Sequence, residues 1–173
     1  MILDLEGFFV EKTFRCRELG YYTWQEKYGR YAFYMKTSWR NLSRRDQKTV
    51  SYVKYKVHGL TYQPRREEKA FEYYRVEDIL RDLYEEVKYK DRTVVAYKGG
   101  HVERDLLNKL NIPCLNLEHY GCPKYDVLKD EFHNVLPSCG FHLNDKLHHC
   151  PIKECETFWL WLQNKNKQTF IAL

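Results

Sequence analysis

Long apolar runs are missing from this chain. None approaches the roughly 20 residues that a membrane-spanning helix needs, so no membrane partner is expected. Glycine and proline are scarce, eight and five in 173 residues, and no stretch reads as a long flexible linker. Internal repeats and low-complexity segments are also absent, so one domain over residues 1–173 is expected. The opening MILDLEGFFV has neither a basic leader nor a long apolar stretch. That argues against a secretory signal and for a cytoplasmic or nuclear setting. Neither charge sign dominates: 29 basic against 24 acidic side chains give +5. The excess is compatible with a phosphate-backbone partner on a local basic face without requiring one. Gly99-Gly100 lacks the spacing of a nucleotide fingerprint. Six cysteines, five of them after residue 110, are too few for a secreted disulfide scaffold and point to thiols or metal ligands.

What is abundant is aromatic: 15 Tyr, 9 Phe and 4 Trp, which fill a core cheaply or offer stacking platforms. Residues 1–10 read as a buried strand, 13–25 and 30–36 as further extended runs, together an antiparallel meander. Residues 37–50 read as a basic loop with a short helix, and SYVKYKVHGLTY as an alternating segment. Val76, Ile79, Leu80, Leu83 and Val87 mark a helix by their three- and four-residue spacing. A strand over 93–99, a helix carrying Val102, Leu106, Leu107 and Leu110, and the strand IPCLNLE follow, suggesting βαβ units. Residues 121–150 read as irregular, and PIKECETFWLWLQNK as a final helix.

Two places carry chemistry. Asp4 and Glu6 alternate on the first strand and so share a face; side-by-side buried acids favour a divalent cation between them, as in two-metal phosphoryl transfer. Cys139, His142 and Cys150, with Cys122 as a fourth, offer thiolate and imidazole ligands that suit tetrahedral Zn²⁺. His148, Cys155 or an acid are alternatives to Cys122 in that set. The region is poor in apolar residues, and a structural zinc would explain its order.

Three short motifs, in order, resemble the DEDDh family of 3'-to-5' exonucleases: MILDLEG, VVAYKGGHVERDLL and HHCPIKECETFWLWL. The resemblance implies a ribonuclease H-like α/β fold, a mixed central sheet flanked by helices. It also implies that Asp4, Glu6, Asp105 and Glu154 hold two Mg²⁺ or Mn²⁺ and that His149 acts as general base. The substrate implied is RNA or single-stranded DNA. Glu154 stands where that family has Asp, and Gly7 where it often has Thr. The Cys-x-x-His and later Cys between the second and third motifs resemble the Maelstrom domain. That domain is an exonuclease-like fold with a Glu-Cys-His-Cys zinc set, tied to small-RNA silencing of transposons and to single-stranded RNA. Cys139, His142 and Cys150 match its Cys-His-Cys part, and no Glu is assigned from sequence. That resemblance implies the alternative function, a catalytically degenerate domain that binds RNA or a protein partner.

Overall fold

The computed structural model describes residues 1–88, 94–143 and 149–171. Its centre is strand β1, Ile2–Val10, whose first four residues are buried because both of its faces are covered. A two-residue turn at Glu11 and Lys12, both with positive φ, returns the chain into β2, Thr13–Tyr22. Such a turn matches the right-handed twist of a hairpin. β3, Tyr28–Phe33, extends the meander. Helix α1, Arg44–Lys56, is capped by Ser43, whose side chain accepts from the Asp46 N–H at 3.0 Å. The two-residue strand β4, Ala70–Phe71, then pairs parallel with β3. Helix α2 (Val76–Val87), β5 (Val95–Tyr97), helix α3 (His101–Lys109) and β6 (Cys114–Asn116) follow, with β5 parallel to both β1 and β6. Helices α4 (Tyr125–Glu131) and α5 (Pro151–Ile171) complete the chain.

The sheet order is β4-β3-β2-β1-β5-β6, a mixed sheet with helices on both faces. Odd residues of β1, Leu3 and Leu5, join Ile79, Leu80 and Leu83 of α2 and Leu107 of α3. On the other face Ile2 meets Cys155 and Phe158 of α5, and Phe8 meets Val50 of α1. None of the described helices is long and apolar enough to cross a membrane.

The alternating segment 51–62 is not extended: its first half belongs to α1. Val50 and Val53 lie three apart and face Phe8 and Val10, so the helical period outweighs the β-propensity of the Tyr and Val residues. The stretch 121–150 also contains a helix, α4, where none was expected.

Candidate metal centres

The register of β1 on β2 decides which side chains meet. From Val10↔Thr13 to Gly7↔Cys16 the pairing is regular; then Glu6 faces Glu18, and Arg17 is the extra residue of a bulge. Gly7 belongs at this spot, since a Cβ there would lie 2.1 Å from the Arg15 carbonyl oxygen. The bulge turns Arg17 and Glu18 to the same face, toward α5. Both are buried in one ionic network. Arg17 donates to both oxygens of Glu68 at 3.0 and 2.7 Å, and Arg30 bridges Glu68 and Glu18.

Glu18 in turn meets the cysteine and histidine cluster. Ligand atoms of Cys139, His142 and Cys150 lie within 4.8 Å of one another. His142 Nε2 is 3.0 Å from Glu18 Oε2, and the Cys139 thiol donates to Glu18 Oε1 at 3.5 Å. Glu18 Oε2 and His142 Nε2 are both buried and face each other in an ion-pair contact without full hydrogen-bond geometry. Buried polar atoms are seldom left so. Two sulfurs and one ring nitrogen converge, with the Glu18 carboxylate against two of them, a donor set that suits tetrahedral Zn²⁺. The ring is held from behind: His142 Nδ1 bonds the His58 carbonyl, and Leu143 N–H donates to Gly59 O at 2.9 Å. His58 is anchored too. Its Nδ1 accepts from Leu60 N–H at 3.1 Å and its Nε2 sits 3.0 Å from Gly7 O; burial holds its pKa down at about 4.

Without metal, these donors share protons. The bond from the Cys139 thiol, and then one from His142, pulls Cys150 down to about 4 against the effect of burial. Burial opposes ionisation of His142, but Cys150 and Glu18 push it up to about 10. A zinc ion bound here would displace protons shared among the two thiols and the imidazole.

Cys122 is not in this set. It is buried with Leu117, Leu128 and Phe158, its thiol donates to Pro123 O at 3.6 Å, and burial pushes it up to about 12. Cys155, an alternative ligand, is buried on α5 and donates to Gly20 O at 3.6 Å. The further donor beside the three is Glu18, in contact with His142 and Cys139. His148 lies outside the described residues.

The second centre is acidic. Glu6, His149 and Glu154 bring ligand atoms within 4.8 Å of one another. Asp4 sits on the same face of β1, is 6 % exposed, and has Oδ2 without a hydrogen-bond partner. Burial raises its pKa well above the ordinary range, and its strongest electrostatic neighbours are all carboxylates: Glu154, Glu6, Glu103 and Glu18. Burial and Glu154 do the same to Glu6. His149 pairs through Nδ1 with Glu154, lies 3.6 Å from Asp126 through Nε2, and meets the Tyr125 ring edge-on. Its bond to Glu154 raises its pKa.

Asp105 is elsewhere. Its carboxylate is exposed and bonded to Arg104 at 3.0 Å, on the side of α3 away from the acids. Two residues along a helix is a rotation of about 200°, and Glu103 takes the inward position. β5 ends at Tyr97 and pairs β1 only at Ile2, leaving the β1 edge open at Leu5. Glu103 fills the gap by accepting the Leu5 N–H at 3.3 Å. Burial raises its pKa to about 7.

The two centres are wired together. Glu6 and Glu18 face each other across β1 and β2, His149 and Cys150 are consecutive, and Glu154 N–H donates to Cys150 O at 2.9 Å. Four groups that sequence placed in the acidic set, Asp4, Glu6, His149 and Glu154, therefore lie together, with Glu103 beside them and Asp105 apart. Comparison of the chain with protein-family models, with curated proteins and with solved structures gives no match.

Proposed function

We propose that this chain is a zinc-stabilised ribonuclease H-like domain of the Maelstrom kind, whose task is to bind single-stranded RNA. The strand order β3-β2-β1-β5-β6, antiparallel then parallel, is in keeping with that fold. The observation that carries the reading is the convergence of Cys139, His142 and Cys150, with the buried Glu18 carboxylate against His142 and Cys139. The Glu-Cys-His-Cys order is the one expected of that domain. Metal analysis of purified protein tests it, and one zinc per chain is expected. Substituting Cys150→Ser should lose the zinc and lower the melting temperature. A metal-free protein of unchanged stability would overturn the reading. A filter-binding assay with single-stranded RNA tests the task; if RNA does not bind, a protein partner is the remaining occupant.

A second reading, 3'-to-5' hydrolysis of a phosphodiester, has one observation in its favour: Asp4, Glu6, Glu103, Glu154 and His149 meet without a lysine or arginine among the strongest influences on Asp4. Bound Mg²⁺ or Mn²⁺ would supply charge for the transition state and a more acidic attacking water. The four carboxylates would hold the ions. His149 would take the water's proton, with Asp126 and Tyr125 orienting its ring. In the metal-free geometry Glu154 is engaged by His149, so it must exchange that partner for a cation. Degradation of 3'- and 5'-labelled single strands with Mg²⁺ and Mn²⁺ decides this. Activity abolished by Glu6→Gln supports hydrolysis, and intact substrate with wild-type protein rules it out.

A further inference from the structure

A groove of about 700 Å³ lies on the face of the sheet opposite the acids. Its floor is apolar, built from Leu5 of β1 and Val102 and Leu106 of α3. Its rim carries Phe9, Tyr34, Tyr73 and Tyr74, all substantially exposed, with Tyr74 at 62 %. Rings left this open forgo the burial that normally keeps aromatics inside. They are also held in place: Phe9 packs edge-on against Phe14 and Tyr73 against Tyr74, both with centroids 5.5 Å apart.

The charges around the groove are unbalanced. Lys12, Arg15, Lys36 and Lys109 line it against Glu77 and Asp105. Glu77 is taken by Lys109 and Asp105 by Arg104. Lys12 and Lys36 are left beside the exposed rings, with Lys36 Nζ 5.9 Å from the Tyr73 centroid. Flat rings with cations between them match a chain of stacked bases on a phosphate backbone. An acidic peptide would use the cations but leave the rings without partners of their own shape.

Helix α3 serves both the groove and the acidic centre. His101 and Val102 line the groove, and the next residue, Glu103, reaches around the free edge of β1 to the Leu5 N–H. We infer that this groove holds single-stranded nucleic acid by stacking two or three bases on Phe9, Tyr34, Tyr73 and Tyr74, with Lys12 and Lys36 on its phosphates. The inference rests on the nucleic-acid-binding reading above and gives that binding a place.

The test is fluorescence anisotropy with labelled 12-nucleotide oligo(U), oligo(dT) and an abasic oligomer of equal charge, on zinc-loaded protein without Mg²⁺ or Mn²⁺. Tyr74→Ala and Phe9→Ala should each weaken oligo(U) by roughly 5- to 150-fold, the range for losing one stacked base, and leave the abasic oligomer unaffected. Lys12→Glu with Lys36→Glu should weaken all three and flatten the salt dependence. All four side chains are on the rim, so melting temperatures should not change. Oligo(U) and oligo(dT) bound alike support stacking on a strand of either sugar; a preference for oligo(U) supports an RNA groove. Wild-type binding that these variants leave intact overturns the groove while the binding reading stands. An abasic oligomer bound as tightly as oligo(U) overturns stacking. No binding by wild-type protein overturns both, leaving the zinc assignment to metal analysis.

Discussion

Glu103 and Glu18 are the two residues on which the centres depend most, and neither stands out in the sequence. Glu103 has its pKa raised by burial from an ordinary 4.5 to about 7. A carboxyl raised on folding favours the native state fully below about pH 4.5, and that contribution is lost as pH rises through 7. Without Mg²⁺ or Mn²⁺, the zinc-loaded protein should therefore lose stability across this window. Glu103→Gln keeps an acceptor for Leu5 N–H and removes the charge. It is expected to stabilise that form at pH 8 by on the order of 1–3 kcal/mol, read by urea unfolding at pH 5 and pH 8. Mn²⁺ affinity by calorimetry should fall about tenfold or more. Asp105→Asn should change neither. For Glu18→Gln, zinc should be lost and Arg30 left with Glu68 as its remaining buried carboxylate, a destabilisation of up to about 3–5 kcal/mol visible in the same unfolding curves. Helical geometry offered the clue to Glu103. It is spaced four and seven residues from Leu107 and Leu110, so it shares their inward face, whereas Asp105 does not. Residue type alone does not separate Glu103 from Asp105; direction around the helix does. Cys122 misled for another reason: a thiol is both a ligand and a small hydrophobe, and composition does not separate the two.

At the scale of the element, α2 was legible from the helical spacing of its buried Ile79, Leu80, Leu83 and Val87, and the first three strands from their apolar and aromatic runs. The bulge at Arg17 was not. It is a matter of pairing between two strands, and one inserted residue brings Arg17 to the face that Glu18 occupies. Deleting Arg17 should give regular pairing with Glu18 still opposite Glu6 and on the same face, so zinc should be retained on gel filtration, while Glu68 is left to Arg30 alone and the melting temperature falls. Gly20 offers a gentler probe, of the contact with α5. A Cβ there would lie 2.6 Å from Pro151 Cβ and 2.8 Å from the Pro151 carbonyl carbon, at the start of α5. Since backbone cannot swing aside as a side chain can, Gly20→Ala should push α5 away from β2. A destabilisation of about 1–3 kcal/mol follows from such overpacking. Pro151 adjoins Cys150, so zinc should also leave faster in a chelator competition. Equal release rates for Gly20→Ala and wild type would show that α5 yields without moving its first residues.

Across the whole molecule, the two centres sit on one face of the sheet, joined by the Glu6–Glu18 pair and by the His149-Cys150 peptide. Two carboxylates directly opposite on adjacent strands repel when both are bare. A zinc ion held by the thiol centre and Glu18 would withdraw that charge from Glu6, and through Cys150 it would fix where His149 and Glu154 begin. Filling the thiol centre should therefore strengthen divalent-cation binding at the acids. By linkage, a cation at the acids should strengthen zinc retention by the same factor. Manganese titrations of zinc-loaded protein and of protein treated with a zinc-selective chelator measure one arm. Chelator-driven zinc release with and without Mn²⁺ measures the other. Coupling of about 1–3 kcal/mol, a five- to 150-fold effect, is the usual scale for communicating sites. Far-ultraviolet circular dichroism must accompany both arms, because a zinc-free chain that unfolds would lose Mn²⁺ binding trivially. If the zinc-free protein stays folded and binds Mn²⁺ as before, the shared strand and peptide transmit nothing, and the thiol centre serves the fold alone. If affinities move together, removing zinc disarms the acids without touching any of them.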